Sequence, residues 1–175
     1  MIQVHVSKLG WDTIAKSHVV VLQALDSKRE MPIWIGPVEA DAIGRALQGQ
    51  TYERPLTHDL LRIVIEGLST QVKRIVITEL RGPTYYARIV MTREDEIIAV
   101  DARPSDSIAL ALRARASIYV ERQLFETQSH EEIEMASGEA EADEDAEEEG
   151  DEEPRASDPI QRLLDQIKPP EKPEI

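Results

Sequence analysis

Three short stretches of the chain gather side chains able to do chemistry. Glu39 and Asp41 follow Gly36-Pro37, and His58 and Asp59 follow Thr57. Asp101, Arg103, Ser105 and Asp106 surround Pro104. The last stretch is the densest, with two carboxylates, a guanidinium and a hydroxyl between positions 101 and 106. Carboxylate oxygens suit Mg²⁺ or Mn²⁺. Such an ion can activate water and neutralise a phosphodiester in the transition state. Asp101 and Asp106, with Glu39, are the candidate ligands. Arg103 can grip a phosphate in bidentate fashion. An imidazole such as His58 titrates near neutrality and suits proton transfer. These are the parts of a phosphodiesterase. Each also has a plain structural reading, since carboxylates near helix N-termini complement the macrodipole and a serine can cap.

Other chemistries find no support. The chain has no cysteine, which excludes a disulfide scaffold, a zinc ribbon and a thiol nucleophile. No Gly-x-Ser-x-Gly elbow, P-loop or Gly-x-Gly-x-x-Gly occurs. The four histidines (His5, His18, His58, His130) lack close metal-ligand spacing.

The elements that must position these residues follow from periodicity. Strands are expected at 2–6, 18–24 and 31–35. A helix follows Gly36, with Pro37 in its first turn, and stops near Gly49. Thr57 is the expected N-cap of a second helix, with Leu60, Leu61, Val64, Ile65 and Leu68 as its apolar stripe. Val72–Leu80 and Thr84–Thr92 read as a hairpin around Arg81-Gly82-Pro83. Tyr85, Ala87, Ile89 and Met91 share one face of its second strand. A strand at 97–100, a helix at 105–114 and a strand at 118–120 complete an α/β (α+β) domain with a mixed sheet. Asp41–Leu47 matches Asp106–Leu112 at four of seven positions, at an offset of 65. The order strand–strand–strand–helix thus occurs twice, which points to an internal duplication. In α/β folds, strand ends that face helix N-termini are where ligands bind.

Charge divides the chain. Its net charge is −14, yet residues 1–128 hold 16 acidic and 16 basic residues. Residues 129–175 hold 18 and 4. One balanced domain over 1–128 is therefore expected, with arginine outnumbering lysine 12 to 4. Residues 139–153 hold 11 acids and no base, so 129–156 is expected to be a disordered acidic linker. Ile160, Leu163, Leu164 and Ile167 then fall at i, i+3, i+4 and i+7, predicting a short amphipathic helix within 157–169. Its core, 158–168, is too short to be stable alone and should dock on its own domain or on a protein partner. The start of the chain lacks signal-peptide features, and no apolar run approaches the roughly 20 residues that span a bilayer. A soluble, cytoplasmic protein is expected.

Three ordered motifs resemble those of the bifunctional nuclease domain family of bacteria and plants. Pro32–Ala40, continued by Ala42-Ile43 and Ala46–Gly49, is similar to the first. Arg54–Leu61 resembles the second, and Val100–Arg113 the third. The resemblance covers about residues 1–125. It implies an α/β fold with a duplicated strand–helix unit, and hydrolysis of DNA and RNA with little sequence preference. It also implies an oligomer, for which a homodimer is the expectation. The motif positions Glu39, His58, Asp59, Asp101, Arg103, Ser105 and Asp106 become candidate site residues. Some relatives carry an added helical motif of the kind found in excision-repair nucleases; here the acidic linker and segment 158–168 take that place. A second reading makes the motifs structural and the protein a non-catalytic module acting through that segment.

Overall fold

The computed structural model describes residues 1–125. The expected acidic linker and the segment at 157–169 lie outside the described residues. Ten elements follow in chain order. Strand β1 (Ile2–Asp12), β2 (Ser17–Ala24) and β3 (Glu30–Ile35) lead into helix α1 (Pro37–Leu47). Helix α2 (Thr57–Gly67) comes next. Strands β4 (Gln71–Arg81), β5 (Thr84–Arg93) and β6 (Glu96–Ala102) then lead into α3 (Pro104–Ala114) and β7 (Ser117–Val120). Residues 122–125 turn helical again. No helix among the described residues is long and apolar enough to cross a membrane.

The seven strands form one mixed sheet in the order β3-β2-β1-β7-β4-β5-β6. Strand β7 pairs antiparallel with β1 and parallel with β4, and so joins two antiparallel meanders. Each meander is followed by a helix, as the sequence order implies. The common origin of the two halves rests on the sequence match alone. Strand β2 is buried at Val19, Val20, Val21 and Leu22, which explains its unbroken apolar run. The β4–β5 hairpin closes on Gly82-Pro83, with Arg81 opposite Thr84. Gly82 takes a φ of +55° there, a conformation that favours glycine.

Helix α3 is the pivot of the core. Ile108, Ala109, Leu110 and Ala111 are buried, and α3 packs against α1, α2, β4 and β5. Near its C-terminus Arg113 clamps three helices. Its Nε donates to Asp59 Oδ1 of α2 at 2.7 Å, and its Nη1 donates to the carbonyls of Ala42 (3.0 Å) and Ala109 (2.9 Å). Its side chain is only 8% exposed. A nearly buried guanidinium needs such an ion pair and hydrogen bonds to be tolerated.

Two boundaries differ from expectation for local reasons. Strand β1 runs to Asp12 because a bulge between Val6 and Lys8 absorbs the break in alternation. The N-cap of α2 is Leu56, not Thr57. Asp59 Oδ2 accepts the Leu56 N–H at 3.0 Å, so a carboxylate in the third helical position does the capping.

Candidate active site

Each of the three helices carries an acid at the third position of its first turn. These are Glu39 in α1, Asp59 in α2 and Asp106 in α3. All three sit where the helix dipole favours negative charge. Their uses diverge, and the divergence defines the site.

Asp59 is fully engaged in structure. One oxygen caps Leu56 and the other binds Arg113. Asp59 was expected among the catalytic candidates, and it is absent from the residues lining the cavity described below. Its contacts are structural: it caps the first turn of α2 and ties that helix to Arg113.

Asp106 is the hub. Its Oδ1 lies 3.2 Å from His58 Nε2, and its Oδ2 accepts from Arg103 Nε at 2.7 Å. Arg103 Nη2 also reaches Oδ1, at 3.2 Å. Burial pushes the Asp106 carboxyl upward. The hydrogen bonds of Arg103 and His58, with the charge of Arg103, outweigh it, and the net shift is downward. Asp106 is therefore an anion at neutral pH. Arg103 also donates from Nη1 to Glu39 Oε1 at 2.8 Å. The adjacent Asp106 carboxylate, followed by Glu39, raises its already high pKa. The first turns of α1, α2 and α3 are thus joined through one guanidinium and one carboxylate. Sequence separations of 48 and 64 residues are closed at this point.

Gly36 makes room for the arrangement. It is the N-cap of α1 with ordinary extended backbone, φ −72°. A Cβ there would collide with the Glu39 carboxylate. The glycine thus serves close approach rather than conformational freedom.

His58 and Asp106 open onto a cavity of about 780 Å³ between α2 and the β5–β6 strands. Its walls are chiefly apolar and aromatic, including Leu61, Ile65, Tyr85, Tyr86, Ile89 and Met91. Tyr85 and Met91 pack on the core together with buried Ala87 and Ile89, as the shared strand face predicts. A second hollow of about 240 Å³ lies next to the first and is lined by Trp34, Glu39 and Ser105. Arg103, Thr84 and Tyr85 line both. Arg103 therefore stands on the divide, and its side chain is 65% exposed. Ser105 is nearly buried in the first turn of α3; the N-cap there is Arg103, not Ser105.

The three carboxylates expected to ligate a metal are not gathered into one set. Asp101 pairs across the sheet with Arg88, and so shares the sheet face opposite to Val100 and Ile89. It is nevertheless among the residues lining the larger cavity. Glu39 and Asp106 are bridged by Arg103, which occupies the place of a cation between them. No group of three or more histidine or carboxylate residues able to hold a metal ion exists among the described residues. As arranged here, these residues do not fit a metal cage built from protein alone.

Comparison with known proteins decides the family. The bifunctional nuclease domain model matches residues 20–132, most of the chain. The chain belongs to the bifunctional nuclease domain family. An uncharacterized protein of Mycobacterium tuberculosis is 46% identical over 103 residues, covering 59% of this chain and 61% of that protein. Bifunctional nuclease 1 of Oryza sativa subsp. indica is 29% identical over 114 residues, covering 63% of this chain and 34% of the rice protein. Bifunctional nuclease 2 of Oryza sativa subsp. japonica is 27% identical over the same length. The chain thus spans about 61% of the mycobacterial relative and about a third of the rice proteins. The bifunctional nuclease domain carries all three helix N-termini, and with them the Glu39–Arg103–Asp106–His58 chain of contacts.

Sequence reasoning missed Arg113. Its signal was present: a basic residue seven positions after Asp106, in the last turn of α3. A basic residue there is expected for the dipole alone, which hid its role as a clamp.

Proposed function

We propose that this domain hydrolyses phosphodiester bonds in DNA and RNA with little sequence preference. The observation that carries the reading is one carboxylate, Asp106, that orients an imidazole and a guanidinium together at a cavity mouth. A carboxylate on Nε2 fixes the imidazole tautomer, with the proton on Nε2 and the lone pair on Nδ1. Nδ1 has no hydrogen-bond partner among the described residues, and is the base.

His58 takes a proton from water as the water oxygen bonds to phosphorus. Arg103 neutralises the charge that grows on the non-bridging oxygens. Its guanidinium has five N–H donors, and three are engaged by Asp106 and Glu39. Two remain for a phosphate. The bond from phosphorus to the leaving oxygen then breaks, and the imidazolium returns its proton to that oxygen. Water as nucleophile serves both substrates, since DNA has no 2′-hydroxyl. The aromatic wall of Tyr85 and Tyr86 offers stacking surface for bases, which tolerates any sequence. Mg²⁺ or Mn²⁺ brought in with the substrate phosphate is the alternative source of positive charge.

The test is purified protein on labelled single- and double-stranded DNA and RNA, with Mg²⁺, with Mn²⁺ and with EDTA, beside His58→Ala. Hydrolysis lowered about 10²–10⁴-fold by His58→Ala is expected for loss of a general base. Loss of activity in EDTA assigns the charge to a metal. Equal rates for the variant and wild type defeat the reading.

A further inference from the structure

Helix α2 packs one side on α3 and leaves the other bare. Leu60, Ile63, Val64 and Leu68 are 44–65% exposed. Leu61 and Ile65 of the same helix form one wall of the large cavity, and Ile89, Met91 and Val100 form the other. Ile98, opposite Met91 and on the same sheet face as Val100, continues the apolar wall along the edge strand β6. The result is an apolar groove with an apolar rim, beside a small polar end at His58 and Asp106. Contiguous exposed apolar surface of this kind marks an interaction site. Nucleic-acid phosphates have no use for most of it.

The chain itself supplies a fitting occupant. Fifty residues follow Phe125. Among them Ile160, Leu163, Leu164 and Ile167 recur at i, i+3, i+4 and i+7, between Asp158-Pro159 and Pro169-Pro170. That is the anchor spacing of a helix laid in a groove. The 32 residues between Phe125 and Asp158 span about 30 Å as a polar coil. A domain of this size has a radius of gyration of about 14 Å, so the groove is within reach. Tethering raises the local concentration of the segment to the millimolar range. A second copy fills the groove less well, because a two-fold axis would set one hollow against an identical hollow.

We infer that residues 158–168 dock in cis in the groove between α2 and β5–β6, with Ile160, Leu163, Leu164 and Ile167 as the anchors. Docked there, the segment covers Leu61 and Ile65. The docking stands independently of the hydrolytic reading.

Because the native chain has no cysteine, two introduced thiols report alone. The full-length double variant Val64→Cys/Gln166→Cys is treated with a short bismaleimide, beside the control Lys28→Cys/Gln166→Cys in the β2–β3 turn. Cross-linking within one chain should run on the order of tenfold faster for the first pair than for the control, reflecting the raised local concentration. Adding Leu163→Asp should bring the first pair down to the control rate. Equal rates for the two pairs overturn the inference. A covalent dimer as the main product overturns it too, and assigns the groove to a second copy.

Discussion

Replacing Arg113 by Met separates the clamp from the chemistry. Arg113 is nearly buried and makes three hydrogen bonds to three helices. Methionine keeps much of the volume and removes the charge, leaving Asp59 and the Ala42 carbonyl short of a partner. Breaking a buried pair from one side costs about 3–5 kcal/mol. Asp59 is about 30% exposed and retains its bond to Leu56, so water relieves part of the loss. The lower end, about 3 kcal/mol, is expected. For a domain of this size, 1 kcal/mol moves Tm by about 3–5 °C. Thermal unfolding followed by circular dichroism should therefore show Tm lower by about 9–15 °C. Asp59→Asn should lower Tm as well, by less, because its amide can still meet Arg113 through the carbonyl oxygen. In both variants the folded protein below Tm should keep kcat within about threefold of wild type, since neither residue touches the cavity. A Tm unchanged in Arg113→Met, or an Asp59→Asn with normal Tm and kcat down a hundredfold, would refute this division of labour.

Other consequences follow from the same contacts. Arg103→Lys keeps the charge but loses the fork that spans Asp106 and Glu39, so kcat/KM should fall at least tenfold, because a point charge does not replace bidentate geometry. Glu39→Gln frees Arg103 from one of its two competing carboxylates; an exposed pair is worth about 0.2–1 kcal/mol, so KM for a short oligonucleotide should fall up to about fivefold. The Asp106 carboxyl is held below its ordinary value of 3.8 in the folded protein, so its stabilising contribution is present above about that pH and is lost as pH falls through the lower, folded value. The Tm gap between wild type and Asp106→Asn should therefore be open at pH 7 and close in strong acid; a gap that widens there would contradict the assignment.

Much of this arrangement was legible in the residues, and the illegible part has physical causes. The apolar run of β2, the Tyr85–Met91 face and the proline-led start of α1 are local patterns, and they appear as expected; α3 begins one residue earlier than expected, at Pro104. The end of β1 was hidden because the bulge near Ser7 shifts the alternation by one residue. Leu56 as N-cap was hidden because its partner, the Asp59 side chain, acts from inside the helix. Asp101 looked equivalent to Asp106, although a strand residue beside Ala102 must face away from it. The contacts of His58 with Asp106, and of Glu39 with Arg103, join distant segments. The motifs flagged those residues, but only the fold could pair them. Glu39, Asp59 and Asp106 occupy the same helical position, and their different neighbours alone separate a cap from a site.

The central claim is that Asp106, through His58 and Arg103, drives phosphodiester hydrolysis. Its most direct test compares single-turnover hydrolysis of one fluorescent single-stranded DNA by wild type and Asp106→Ala at equal protein concentration. The account predicts a rate at least about a hundredfold lower for the variant, the loss expected when a histidine base and its orienting carboxylate are uncoupled. Equal rates for the two proteins would contradict it.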